Sequence, residues 1–203
     1  MDPGAPTSTP ALPGKVLAAA FVVLGATLLA LRSPPASWER TVAGVVCDVP
    51  SAFTGVLEAL MQAGSRAAIA VVAVVLVALR RVRLAVAVLI GGWLAWLAAI
   101  QAKDLVDRGR PTSELLERPI REVVEGSGYP SSHAAIAAAL ATILVLGLRL
   151  KSLPAAVVAA VAVLTAVARV HLGAHWPLDV VGGAALGAAA GAVGVALVER
   201  VAR

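Results

Sequence analysis

A histidine and an aspartate near the start of an apolar run have the spacing of a nucleophile and its orienting carboxylate. His175 precedes Asp179 by four residues in the segment ARVHLGAHWPLD, and Pro177 between them suits the first turn of a helix. One helical turn would bring the carboxylate within reach of the ring, where it fixes the tautomer and leaves the other nitrogen free to attack. The spacing therefore predicts nucleophilic catalysis by His175, with Asp179 as its partner.

A second histidine, His133, ends the segment YPSSH at the start of another apolar run. Serine is a preferred helix N-cap residue, and a helix start offers unpaired N–H groups and positive dipole charge to an anion. Capping would explain Ser131 and Ser132 but not the histidine, because an ionisable side chain at the end of an apolar span is a functional candidate. We therefore expect an anion to bind against Ser131, Ser132 and His133.

Three cations accompany these histidines. Lys103 ends an apolar run and is followed, after six residues, by Arg110 and Pro111 in the segment KDLVDRGRP, while Arg169 stands six residues before His175. Taken alone, Lys103 and Arg110 fit an ordinary basic loop at a membrane surface. The order of all the segments along the chain decides against that interpretation.

In order and spacing, the three segments resemble the signature of the type 2 phosphatidic acid phosphatase family, which is K-x6-R-P, then P-S-G-H, then S-R-x5-H-x3-D. The matching residues are Lys103, Arg110 and Pro111, then Pro130, Ser131 and His133, then Arg169, His175 and Asp179. Two positions differ, because Ser132 stands where the family usually has glycine and Ala168 where it usually has serine. Neither difference removes a catalytic group.

The resemblance implies a displacement in which His175 attacks phosphorus and forms a phosphohistidine, while Asp179 orients and stabilises the imidazolium. His133 would protonate the leaving lipid oxygen and then deprotonate the water that hydrolyses the intermediate. The phosphoryl oxygens would be bound by positive charges and hydrogen-bond donors, which are Lys103, Arg110, Ser131, Ser132 and Arg169.

The resemblance implies neither a metal nor a cofactor, because the three cations already supply positive charge to the transition state. His171 and His175 could be taken for two zinc ligands four residues apart. A catalytic zinc needs three protein ligands, however, and Gly173 and Pro177 argue against a regular helix that would align the pair. We expect His171 to line the pocket or to cap the helix that it ends.

The implied partners are a phosphorylated lipid and the bilayer itself. Polyprenyl phosphate or pyrophosphate, phosphatidate and phosphatidylglycerol phosphate all fit a cation-lined site at the bilayer surface. One alternative is a catalytically silent relative that binds or moves phospholipid, although retention of both His175 and His133 argues against it. Another is a vanadate-dependent haloperoxidase, a group with similar motifs whose members are soluble.

The composition indicates that these residues are positioned by membrane helices. The chain has 203 residues, of which 60% are hydrophobic and 14% charged, and its mean hydropathy of +0.90 exceeds what a soluble domain needs. The net charge of +5 comes from short clusters between apolar runs, so we interpret it as a topology signal and not as a nucleic-acid surface. A single cysteine, Cys47, excludes an intramolecular disulfide.

Six apolar runs predict an all-α polytopic membrane protein with six transmembrane helices in a bundle. The runs cover about residues 16–31, 63–79, 84–102, 131–148, 153–168 and 180–198. Residues 1–14 are rich in Pro, Gly, Ser and Thr and predict a disordered cytoplasmic tail, which leaves residues 15–203 as the phosphatase domain. Gly183, Gly187 and Gly191 recur at four-residue spacing and predict close packing of the last helix against a neighbour.

The distribution of cations predicts the orientation. If the six runs alternate, eight of the 17 Lys and Arg residues crowd into short segments on one side, namely Lys15, Arg80, Arg81, Arg83, Arg149, Lys151, Arg200 and Arg203. Their density predicts that this side is cytoplasmic. The segments with the signature residues would then face outward, which places the active site at the extracytoplasmic face of a cell membrane, in our interpretation a bacterial inner membrane.

Overall fold

A computed structural model describes residues 12–31 and 35–201 of the chain, and this described part consists of helices without any β-strand. The α-helices in chain order are α1 (Leu12–Ala30), α2 (Ser37–Cys47), α3 (Thr54–Met61), α4 (Arg66–Ala78), α5 (Val82–Val106), α6 (Ser113–Leu116), α7 (Ser132–Gly147), α8 (Ser152–His171) and α9 (Pro177–Val201). Each of the six predicted apolar runs overlaps an α-helix, and the prediction of an all-α fold is confirmed.

Three of these helices, α5, α8 and α9, are long and apolar enough to cross a bilayer. A fourth crossing would be formed by Ser37–Cys47 together with Ser51–Gly64, whose axes differ by 77°. The helical segments Ala19–Ala30, α4 and α7 are apolar but shorter. The helices indicate a multi-pass membrane protein, and six crossings stay a prediction.

The structure differs from the sequence interpretation at two places near the N-terminus. Residues 1–11 of the predicted tail lie outside the described residues, and the last three residues of that tail already belong to α1. Residues 35–62, between the first two predicted apolar runs, contain α2 and α3, which the apolar pattern does not predict. Helix α2 forms because small residues at helical spacing, Ala43, Gly44 and Cys47, give it a buried face.

The glycine spacing in α9 has the predicted role, because each of the three glycines faces a backbone carbonyl of the α7 segment. The carbonyl oxygens opposite Gly183, Gly187 and Gly191 belong to Ser131, Ala135 and Ala139 respectively. A Cβ atom at Gly191 would lie 2.6 Å from the Ala139 oxygen, closer than real Cβ atoms approach. Helices α7 and α9 therefore pack backbone to backbone, which fixes the start of α7 against the start of α9.

Candidate active site

The predicted nucleophile lies in the turn between α8 and α9, against the carboxylate four residues ahead of it. The Nδ1 atom of His175 is 3.4 Å from Oδ2 of Asp179, a distance at the long end for a hydrogen bond. The backbone N–H of Trp176 donates to the same oxygen over 2.9 Å. With the carboxylate at Nδ1, the neutral ring carries its proton there and Nε2 keeps a free lone pair.

Burial keeps the ring of His175 neutral. Only 3% of its surface is exposed, and this burial lowers the pKa of His175 to about 4, although Asp179 opposes the shift and Arg110 and Arg169 add to it. At physiological pH the imidazole is therefore uncharged, which is the state that a nitrogen nucleophile requires.

Arg110 faces the free nitrogen of this histidine. Its Nη1 atom lies 3.3 Å from His175 Nε2 and donates to the carbonyl oxygen of Ala174 over 2.7 Å. Its other nitrogens donate to the carbonyl oxygens of Gly126 and Ser127, over 2.9 and 3.0 Å. The guanidinium is thus held by backbone on two sides, with positive charge beside the atom that would attack phosphorus.

Lys103, in the last turn of α5, reaches the same segment of backbone. Its Nζ atom donates to the carbonyl oxygens of Ser127 and Gly128, over 2.8 and 3.2 Å. The charges of Arg110, Asp179 and Arg169 all act on Lys103. The structure therefore brings the three predicted cations into one electrostatic cluster around His175 and Asp179.

Arg169, near the end of α8, forms an ion pair that the sequence did not predict. Its side chain is 3% exposed, and its two terminal nitrogens lie 2.7 and 3.2 Å from the carboxylate oxygens of Glu122. One of them also lies 2.8 Å from the sulfur of Met61. A partly exposed carboxylate thus occupies one side of this cation.

The start of α7 supplies the remaining predicted residues. Ser131 stands at the N-cap position, and its N–H donates to the backbone oxygen of Asp179 over 2.8 Å. Its hydroxyl makes no capping bond, and within the described residues Ser131 Oγ and Arg169 Nε are buried donors that have no partner. Capping therefore does not account for this serine, and both donors suit an anion with several oxygens.

Ser132 and His133 form the first turn of α7 and are half-buried. The charges of Arg169, Glu122 and Lys103 all act on the ring of His133. Ser132 is not among the described residues with positive φ. Its backbone conformation does not require the glycine that the family usually has at this position.

Arg108 and Glu39 belong to the site as well, although the sequence analysis did not select them. The Arg108 guanidinium lies between the carboxylates of Asp179 and Glu39, at 2.9 and 2.6 Å, and all three side chains are at most 5% exposed. The available signals were weak: a second arginine in KDLVDRGRP, and one acid on the small-residue face of α2.

His171 ends α8, but its ring binds two other helices. Its Nδ1 atom is 3.1 Å from the carbonyl oxygen of Val46, which can only accept, so this nitrogen carries the proton. Its Nε2 atom then accepts from the hydroxyl of Thr54 over 3.0 Å. Both nitrogens of the fully buried ring connect α8 with α2 and α3, which differs from the expected lining or capping role.

Among the described residues, no three side chains of His, Cys, Asp or Glu form a group that could hold a metal.

Comparisons with known proteins agree with this arrangement. Residues 82–203 match the family model of the PAP2 superfamily, which covers every residue of the three signature segments. The match confirms the resemblance to type 2 phosphatidic acid phosphatases. A comparison with curated protein sequences found no match.

Two solved structures are similar in fold. One is a transmembrane PAP2 type phosphatidylglycerolphosphate phosphatase from Bacillus subtilis, with a TM-score of 0.74 at 19% identity. The match covers 93% of this chain and 96% of that chain. LpxE from Aquifex aeolicus has a TM-score of 0.69 at 21% identity, over 77% of this chain and 93% of that chain. At these identities the similarity establishes the fold.

Proposed function

The chain belongs to the PAP2 superfamily, and from this premise we propose that it is an integral membrane phosphatase that hydrolyses a phosphate or pyrophosphate of a lipid. One observation carries the proposal. In a buried neutral histidine with a carboxylate at Nδ1, the unprotonated Nε2 atom lies 3.3 Å from Arg110, one of the three clustered cations. A nitrogen nucleophile beside concentrated positive charge suits attack on a phosphoryl group.

In the first step, Nε2 of His175 attacks phosphorus in line with the leaving oxygen. The bond between nitrogen and phosphorus forms as the bond to the lipid oxygen breaks, and His133 donates its proton to that oxygen. Asp179 stabilises the imidazolium that results. The phosphoryl oxygens are neutralised by the cations Lys103, Arg110 and Arg169 and accept hydrogen bonds from Ser131 and the backbone at Ser132.

In the second step, the neutral His133 takes a proton from water. The water oxygen attacks phosphorus, the bond to Nε2 breaks, and inorganic phosphate leaves. His175 returns to its neutral state with its proton on Nδ1, and both histidines are ready for another turnover. The cations supply the electrostatic stabilisation, so this mechanism uses no metal and no cofactor.

The substrate is a lipid with a terminal phosphate. The similar Bacillus subtilis protein is a phosphatidylglycerolphosphate phosphatase, which makes phosphatidylglycerol phosphate one candidate. Polyprenyl phosphate or pyrophosphate and phosphatidate are the others. The cation clusters at Arg80, Arg81 and Arg83 and at Arg149 and Lys151 support a site on the extracytoplasmic side of a cell membrane.

The test is release of inorganic phosphate from purified protein in detergent or vesicles, with each of these lipids offered separately. We expect at least one lipid to be hydrolysed by the parent protein. A His175→Asn variant, which keeps size and polarity but cannot form a phosphohistidine, should be inactive at an unchanged melting temperature. Lipid binding by the parent without phosphate release would support a silent phospholipid-binding protein instead.

A further inference from the structure

Arg108 forms hydrogen bonds with two acids, one of which is Asp179, the partner of His175. Arg108 Nη1 donates to Asp179 Oδ1 over 2.9 Å, and Nη2 donates to Glu39 Oε2 over 2.6 Å. Nη1 also lies 3.3 Å from Glu39 Oε1. The three side chains are buried, so this charge network is removed from solvent. Both terminal nitrogens of Arg108 are therefore occupied by carboxylates, whereas its buried Nε atom has no partner among the described residues.

The two carboxylate oxygens of Asp179 contact different partners. Oδ1 accepts from Arg108, whereas Oδ2 accepts from the backbone of Trp176 and faces Nδ1 of His175. The hydrogen bond from Arg108 thus prevents rotation of the carboxylate and keeps Oδ2 directed at the ring. Orientation of the histidine depends on Arg108 through Asp179.

Glu39 is fixed to the same place independently. Its Oε1 atom accepts from the backbone N–H of Leu178, in the first turn of α9, over 3.1 Å. Glu39 belongs to α2, Arg108 to the segment after α5, and Asp179 to α9. The network therefore connects three separate parts of the chain at the point where the nucleophile is oriented.

The charges explain why a second acid is needed. A buried Arg108 that faced Asp179 alone would cancel the negative charge that stabilises the imidazolium of His175. With Glu39 present, the three side chains carry a net charge of −1. Burial lowers the pKa of Arg108, but the hydrogen bond to Glu39 and the charge of Asp179 outweigh it and raise that pKa above its ordinary value.

We infer that Arg108 and Glu39 are positioning residues that act on His175 through Asp179: Arg108 fixes the carboxylate, and Glu39 balances the charge of Arg108. The inference rests on the proposed phosphatase function. It assigns both residues to the formation and breakdown of the phosphohistidine and not to binding of the lipid phosphate.

The first test is a Glu39→Gln variant, which keeps the shape of the side chain and an oxygen for Leu178. We expect kcat to fall by about tenfold or more, which is the lower end of the loss found when a residue that orients a metal-bound histidine is changed. KM for the lipid and the inhibition constant of inorganic phosphate, the product, should stay unchanged, because the cations that bind phosphate are intact. A merely structural role would lower kcat only together with the melting temperature.

Asp48 provides a matched control. It follows α2 directly and forms a two-bond ion pair with Arg118, over 2.7 and 2.9 Å, but this pair is exposed and does not contact Asp179. An Asp48→Asn variant removes an acid from the same region of the chain. Its kcat should equal that of the parent.

The second test separates charge from shape. The charged groups that act on His175 are Asp179, Arg110 and Arg169, and Arg108 controls the first of them. In Glu39→Gln, His175 should stay neutral down to a lower pH than in the parent. In a Glu39→Gln/Arg108→Met variant, the guanidinium that contacts Asp179 is gone, so Asp179 acts more strongly on His175 and the pH at which His175 titrates should rise above that of the parent. NMR of labelled histidine measures both shifts.

The double variant also covers the case in which Glu39→Gln does not fold. It removes the Arg108 guanidinium, so no buried arginine is left with only one of its two acids. The inference would be overturned if Glu39→Gln folded and kept both the kcat and the His175 titration of the parent. If only the double variant folds, the same result in that variant would overturn it. Such a result, with an active parent and an inactive His175→Asn variant, would leave the proposed function intact. An inactive parent would reject the proposed function itself.

Discussion

The carboxylate of Glu122 forms an ion pair with Arg169, and the two closest atoms, Oε2 and Nη1, are 2.7 Å apart. Arg169 is also one of the three cations proposed to bind the phosphoryl group. An incoming phosphate must therefore compete with Glu122 for this guanidinium. The side chain of Glu122 is 35% exposed, which leaves it a path to solvent when it is displaced.

A Glu122→Gln variant should bind phosphate analogues more tightly than the parent. We expect the inhibition constant of vanadate to fall by up to about fivefold, since partly exposed ion pairs contribute about 0.2–1 kcal/mol. Glu125, exposed and three residues later in the same segment, gives the control. Glu125→Gln should leave the constant unchanged, and weaker inhibition of Glu122→Gln would mean that Glu122 assists binding.

The ionisation of His175 provides a second prediction. Because burial lowers its pKa to about 4, the ring should stay neutral from physiological pH down to about that value and lose its lone pair as pH falls through it. NMR titration of histidine-labelled protein tests this, and the signal missing from His175→Asn identifies the residue. Titration near the ordinary value of about 6.5 would contradict a buried neutral nucleophile.

Chelation provides a third prediction. Lys103, Arg110 and Arg169 supply the positive charge that a metal ion would otherwise bring to the transition state, so EDTA should leave phosphate release unchanged. The measurement compares initial rates with and without chelator in detergent. Loss of activity that zinc restores would instead support a metal ligand role for His171 and His175.

Much of the site follows from local spacing in the sequence. His175 and Asp179 lie one turn apart because Pro177 begins α9, and this geometry requires no knowledge of the rest of the fold. Ser131 is at the start of a helix for the same kind of reason. The convergence of Lys103, Arg110 and Arg169 came from the family resemblance and not from spacing.

Glu39, Arg108 and Glu122 could not be predicted from the sequence, because they reach the site through contacts between distant parts of the chain. Glu39 and Arg108 are 69 residues apart, and Arg169 and Glu122 are 47 residues apart. Both acids lie in segments that the apolar pattern treats as loops, because α2 is too short and too polar to predict a span. Only the packing of α2 and of the segment before α7 against the helix ends makes these carboxylates partners of the cations.

Orientation in the membrane provides a fourth prediction, which follows from the cations at Arg80–Arg83 and Arg149–Lys151. In a variant without Cys47, a cysteine introduced by Ser113→Cys should react with a membrane-impermeant thiol reagent in intact cells. Ser152→Cys should not react until the cells are opened. Both serines are exposed, so burial does not bias the comparison. The opposite pattern would place the site on the cytoplasmic side.

The proposed mechanism is tested by trapping the covalent intermediate. Parent protein is mixed with a hydrolysable lipid carrying labelled terminal phosphate, the reaction is stopped in base within a turnover, and the labelled peptide is identified. We predict acid-labile, base-stable phosphate on His175, with no label in His175→Asn. Label on a serine, or turnover without any label on His175 at times when an intermediate must accumulate, would contradict the phosphohistidine mechanism.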